Sequence, residues 1–182
     1  VDFMLSSLNM ANSFYDSLNI ELRLVHLDVI ETPSDIDLFS DHQAVLTSFG
    51  QYIEQELHDL KYDHANVMIG GQYFGEELGL AYESRICSAE KLRLSVSWAE
   101  DVGGTNAHQM GHILAHETGH SLGMKHDGPE AEKVFGKCEC KMSRCIMFAY
   151  ADESYNYQYW SRCSLAALEQ MYKVQADYCL WN

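Results

Sequence analysis

The sequence is poor in several things, and each shortage excludes something. No uninterrupted apolar run approaches the roughly 20 residues that span a bilayer, so no transmembrane helix is expected. Basic residues are scarce: 12 Lys and Arg stand against 27 Asp and Glu, a formal charge of −15. A surface that negative repels phosphate backbones and anionic headgroups, which argues against nucleic-acid partners and against membrane adsorption. The plainest role of such a charge is to keep the protein soluble. The front of the chain, Val1-Asp2-Phe3-Met4, lacks the basic and apolar regions of a signal peptide, so the sequence reads as cytosolic or as a processed form. No repeat or low-complexity tract divides it, and prolines number two. What is present is globular: 47% hydrophobic and 21% charged residues in 182 positions, enough for one domain with a core of its own.

Six cysteines stand at 87, 138, 140, 145, 163 and 179. An even number, four of them within 138–163, suggests disulfides and an oxidising compartment. A structural zinc knuckle is a weaker reading, because Cys138 and Cys140 have one residue between them where two to four are usual. Spacing leaves all 15 connectivities open.

Apolar periodicity predicts helices over 1–18, 41–60 with Asp41 as N-cap, 107–122 ended by Gly123, and 164–174. Alternation predicts strands over 19–30, 64–69, 78–82 and 92–98. Residues 125–159 show little periodicity and read as loop. Strands and helices alternating early and an irregular late part give an α/β sheet followed by a smaller stapled region.

The third predicted helix carries His116-Glu117-Thr118-Gly119-His120. Histidines four apart share a helix face and can reach one metal, and the glutamate between them sits beside it without having to ligate. The run continues Ser-Leu-Gly123-Met-Lys-His126-Asp127. A glycine there lets the chain turn sharply and return His126 to the same ion. Three neutral imidazoles leave a fourth position open, the arrangement of a catalytic zinc rather than a structural one. His108 and His112 extend the stripe at the same spacing. They read as polar packing residues, with a second, weaker metal site as the alternative.

His116 to Asp127 resembles the extended zinc motif of the metzincins, and the aspartate after the third histidine resembles the adamalysin (reprolysin) branch, which includes snake-venom metalloproteases and ADAM catalytic domains. Cys145-Ile146-Met147 is similar to that branch's Met-turn, although a lone methionine is more often core filler. Asn19-Ile20, Asp63 to Ile69, and Leu78-Gly79-Leu80-Ala81 with Cys87 downstream also match, so the resemblance spans almost the whole chain. It implies a metzincin fold: a twisted, mostly parallel sheet with an antiparallel edge strand, long helices, a zinc cleft, and a small disulfide-stapled C-terminal subdomain, divided near 1–123 and 124–182 within a single catalytic domain, 1–182. It implies the pairs Cys87–Cys179, Cys138–Cys163 and Cys140–Cys145. It implies His116, His120 and His126 as zinc ligands, Glu117 as general base, Met147 beneath the metal, and Leu78, Gly79, Leu80 and Ala81 as the strand along which substrate lies.

The sequence departs from that family in three respects. The family's first strand is absent from the front. Ala149 stands where proline often follows the Met-turn, which leaves the pocket wall less rigid. Of a possible calcium site, Asp63, Cys179 and Asn182 are present but the glutamate of the missing strand is not. The resulting expectation is a secreted, monomeric zinc endopeptidase acting on extracellular proteins, similar to single-domain venom or salivary enzymes. A catalytic domain cut from a membrane-anchored sheddase and a zinc-bound, non-catalytic binding protein or toxin are the alternatives.

Overall fold

The computed structural model describes residues 1–30, 36–87, 94–140, 145–150, 159–174 and 180. In chain order the elements are α1 (Asp2–Tyr15) with a 3-10 turn over Asp16–Leu18, α2 (His42–Glu56), β1 (Ala65–Gly70), β2 (Gly79–Ala81), β3 (Val96–Asp101), α3 (Ala107–Ser121), α4 (Pro129–Phe135) and α5 (Arg162–Val174). Asp41 caps α2 as its sequence predicts, its carboxylate accepting from the Ala44 N–H at 2.7 Å.

The sheet order is β1-β3-β2. β1 runs parallel to β3, with Ala65 opposite Val96 and Gly70 opposite Asp101. β2 runs antiparallel, with Gly79 opposite Ala99 and Ala81 opposite Ser97. Among the described residues β2 is therefore an edge strand, and the mixed α/β sheet with an antiparallel edge is as expected. β3 is buried on both faces from Val96 to Glu100, because helices cover both. Trp98 packs with Val45, Leu46, Phe49 and Ile53 of α2, and its indole N–H donates to the His42 carbonyl at 3.0 Å. Ala99, pointing the other way, packs with Met110, Ile113 and Ala115 of α3 and with Tyr15 of α1. Tyr15 is fully buried, and its hydroxyl donates to the Ala115 carbonyl at 2.8 Å. The Trp160 N–H donates to the Phe14 carbonyl at 2.8 Å. α1 thus joins α3 to the C-terminal part of the chain. His108 and His112 meet the Phe14 ring edge-on at 5.8 and 6.3 Å, which is the packing role expected of them. Among the described residues no third ligand-type side chain joins the two.

Three expectations need correction. Residues 20–30 form no strand. Ile20 and Leu22 do turn toward the core, but the Leu22 N–H donates to the Asn12 side chain of α1 at 2.6 Å, and Leu24, Val25 and Val29 are exposed. A strand needs a ladder partner, and β1 pairs only with β3 among the described residues. The region expected to be all loop contains α4, with Pro129 in its first turn and Glu130 and Glu132 complementing the helix N-terminus; at seven residues it is too short to show apolar periodicity. Finally, β3 begins at Val96 and runs to Asp101, later than the predicted 92–98, of which 92 and 93 lie outside the described residues.

Beside the start of β1, His64 sits between two hydroxyls, Nδ1 at 3.2 Å from Ser95 Oγ and Nε2 at 2.8 Å from Ser97 Oγ. Ser95 Oγ donates in turn to the Asp63 carbonyl at 2.5 Å, and the Asn66 amide donates to Ser97 Oγ at 2.8 Å. Burial lowers the His64 pKa from 6.5 to about 4. The unfolded chain therefore binds a proton here at higher pH than the folded one, and stability present above pH 6.5 is lost as pH falls toward 4. Denaturant midpoints measured on metal-free protein across that window should fall, and His64→Gln should flatten that part of the curve.

Candidate metal centre

α3 is fixed at both ends. Asn106 caps its start, accepting from the His108 and Gln109 N–H groups at 3.0 Å each, while Gln109 accepts back from the Asn106 N–H at 3.0 Å. This reciprocal cap is worth about 1 kcal/mol. At the other end Gly123 adopts φ +90°, a conformation that disfavours any side chain. Its N–H donates to the His120 carbonyl at 2.8 Å and that of Met124 to Gly119 at 2.9 Å. The segment after β2 supplies two more donors, Ser84 N–H to the His120 carbonyl and Ile86 N–H to the Ser121 carbonyl, both 2.9 Å.

The turn returns His126 to the helix. Its Nε2 lies 3.0 Å from His116 Nε2 and 3.1 Å from His120 Nε2. His116 is buried, His120 half-buried and His126 exposed, which orders them from floor to mouth. His116 Nδ1 is 2.7 Å from the Ile146 carbonyl and His120 Nδ1 is 2.8 Å from the Met124 carbonyl. A carbonyl only accepts, so both Nδ1 atoms carry the proton and both Nε2 atoms present a bare lone pair. The two bare lone pairs converge on the third imidazole, His126, and together offer nitrogen ligands to a cation. Tetrahedral zinc with Zn–N of about 2.0–2.1 Å sets its nitrogens about 3.3 Å apart, close to the observed spacing. The three residues fit that ion. Burial holds all three imidazoles below 6.5, His120 to about 4, and neighbouring imidazoles push His116 and His120 further down. They are neutral at neutral pH, as ligation requires.

Glu117 is buried against β2. A Cβ added at Gly79 would stand 2.5 Å from Glu117 Oε1 and 2.7 Å from its Cγ, so glycine at 79 is what lets the carboxyl lie along the strand. Glu117 Oε2 has no partner among the described residues. Burial first, and then the charge of Glu77, pushes the Glu117 pKa well above the usual carboxylate range. Met147 is fully buried beneath the helix, and a Cβ at Gly119 would meet its sulfur at 2.7 Å. Asp127 ties this floor together: its N–H donates to the Met147 carbonyl at 2.8 Å, and its carboxylate accepts from Ser161 Oγ.

The structure thus brings together His116, Glu117, His120, His126 and Met147, with Gly79 alongside. Leu78 and Leu80 flank Gly79 and Ala81 follows on the same strand, with Leu80 opposite Trp98 and packed into the α2 cluster. Cys138 bonds Cys163 and Cys140 bonds Cys145. Cys87 is also disulfide-bonded; Cys179, its expected partner, lies outside the described residues. Of the residues considered for calcium, Asp63 is half-buried beside β1 and gives its carbonyl to Ser95 and Cys87, while Cys179 and Asn182 lie outside the described residues. The roles of Ser161, Gly119 and Glu77 had no sequence signal, since each depends on a contact with a distant segment.

Residues 1–182 match the Reprolysin (M12B) family zinc metalloprotease description. The chain belongs to this family. It is 32% identical over 182 residues to the disintegrin and metalloproteinase domain-containing protein adm-2 of Caenorhabditis elegans, covering all of this chain and 18% of that protein. It is 29% identical over 176 residues to the zinc metalloproteinase-disintegrin-like atragin of Naja atra, covering 96% of this chain and 27% of that one. The chain therefore spans about a fifth to a quarter of these relatives. No described helix is long and apolar enough to cross a membrane.

Zinc binding is testable without any reaction. One equivalent should raise the unfolding midpoint, by about 2.7 kcal/mol of stability at a hundredfold excess over Kd. His126→Ala should abolish the rise. A wild-type midpoint indifferent to zinc, by calorimetry, would remove the metal centre.

Proposed function

We propose that this reprolysin chain is the catalytic domain of a secreted zinc endopeptidase that hydrolyses peptide bonds in extracellular proteins, with Glu117 as its base. The observation that carries the reading is the convergence of three imidazole Nε2 atoms beside a buried glutamate that shares a helix with two of them.

Zinc bound by His116, His120 and His126 supplies a Lewis acid for the carbonyl oxygen and lowers the pKa of water toward 7. The chain's own groups do the rest. Glu117, next to His116 in sequence and seated on Gly79, accepts the proton of the attacking water and delivers it to the departing amine. β2 offers an edge on which a substrate backbone lies antiparallel, through N–H and C=O groups of Gly79 to Ala81 not used by β3. The carbonyls of Ile146 and Met124 hold the imidazoles in orientation. The disulfides and the Asp127–Ser161 bond hold the Met147 floor below.

The protein should cleave casein or fibrinogen, and phenanthroline should stop it; full activity after exhaustive dialysis against the chelator would overturn the reading. Glu117→Gln should keep its zinc and lose at least about 100-fold in kcat, since the amide cannot accept the proton. Rates within tenfold of wild type with a loaded site would remove Glu117 from the mechanism.

A further inference from the structure

The proposed substrate strand begins immediately after an acidic side chain, Glu77. Glu77 precedes Leu78, the carbonyl of which accepts from the Glu100 N–H at 2.8 Å and fixes the entry into β2. Two residues on, Gly79 lies against Glu117. The Glu77 side chain is about half exposed, 51%, and its Oε2 is 2.9 Å from His42 Nδ1. That contact holds the carboxylate in place. His42 is its sole salt-bridge partner among the described residues. At the far end of the strand the balance differs: Glu83 is matched by Lys125 at 2.6 Å. The two ends of one short strand thus differ in partner: beyond Ala81 the carboxylate of Glu83 meets a lysine ammonium, and before Leu78 that of Glu77 meets an imidazole.

An antiparallel peptide whose scissile bond lies level with Gly79 directs its C-terminal half back along Leu78 toward Glu77. Two strand residues cover about 6–7 Å, which is the distance from the scissile bond to the second residue beyond it. We propose that Glu77 is a specificity-determining residue, selecting substrates with a lysine or arginine at the second or third position on the C-terminal side of the scissile bond. This rests on the endopeptidase reading above. A long basic side chain reaches a half-exposed carboxylate without surrendering the hydration of its charged head, whereas an acidic one in the same register meets like charge. The carboxylate fixed by His42 gives up little side-chain entropy on pairing, which is what usually erodes exposed ion pairs.

The test uses matched fluorogenic peptides that differ only at those two positions, carrying Lys, Ala or Glu. Wild type should prefer Lys over Glu by about three- to tenfold in kcat/KM, with the preference shrinking as sodium chloride is raised. Glu77→Gln should bring the ratio toward one, and Glu77→Lys should invert it. A ratio unchanged by either substitution would overturn the proposal. Binding of the same peptides to the Glu117→Gln protein, read by fluorescence anisotropy with and without Glu77→Gln, measures the preference without turnover. Wild type that cleaves none of the peptides would count against the endopeptidase reading, while the Lys-to-Glu binding ratio would still decide the role of Glu77.

Discussion

Two hydrogen bonds from imidazole Nδ1 to backbone carbonyl constrain the whole centre. They fix the protons of His116 and His120 on the outer nitrogens, so the inner nitrogens face each other as acceptors. Such an arrangement suits neutral imidazoles that share a positive centre. Everything around it serves one of those conditions. Burial keeps the rings neutral. The turn at Gly123 adds the third nitrogen, and the segment after β2 caps the carbonyls that the helix end leaves open. The carbonyl that orients His116 belongs to Ile146, next to Met147, so one short segment both floors the site and holds one of its imidazoles.

The glutamate obeys a different constraint. It is enclosed by the edge strand, and a carboxyl in that position is pushed toward its neutral form by lost solvation and by Glu77. Such a group can take a proton and give it back. The same Gly79 that makes room for it belongs to the strand proposed to receive substrate. One close approach between a helix and a strand would thereby bring the proposed base and the proposed substrate backbone to one place.

Legibility followed the range of the interactions. Local patterns were readable: the capped start of α2, the 15 residues of α3 and the spacing of the three histidines all depend on neighbours within a few turns. The strand predicted over 19–30 shows the limit. Its alternation is real, in that Ile20 and Leu22 do pack inward, but alternation records burial on one side and says nothing of a hydrogen-bonding partner. Leu22 spends its N–H on Asn12 instead. α4 escaped notice for the opposite reason, since its seven residues are held by an N-terminal proline and glutamates rather than by a repeating apolar face.

What the sequence by itself determined is the donor set and its order: two histidines one helical turn apart, a glutamate between them, a glycine where the chain must reverse, and a third histidine beyond it. These are covalent spacings, and helix geometry alone turns them into a shared face. Only the tertiary structure decided which tautomer each histidine adopts, how far the glutamate is removed from water, and which charges it feels. Ile146, Gly79 and Glu77 lie far from the helix residues they act on in sequence, and hydrogen bonding, desolvation and Coulomb interaction depend on distances through space that chain spacing does not specify.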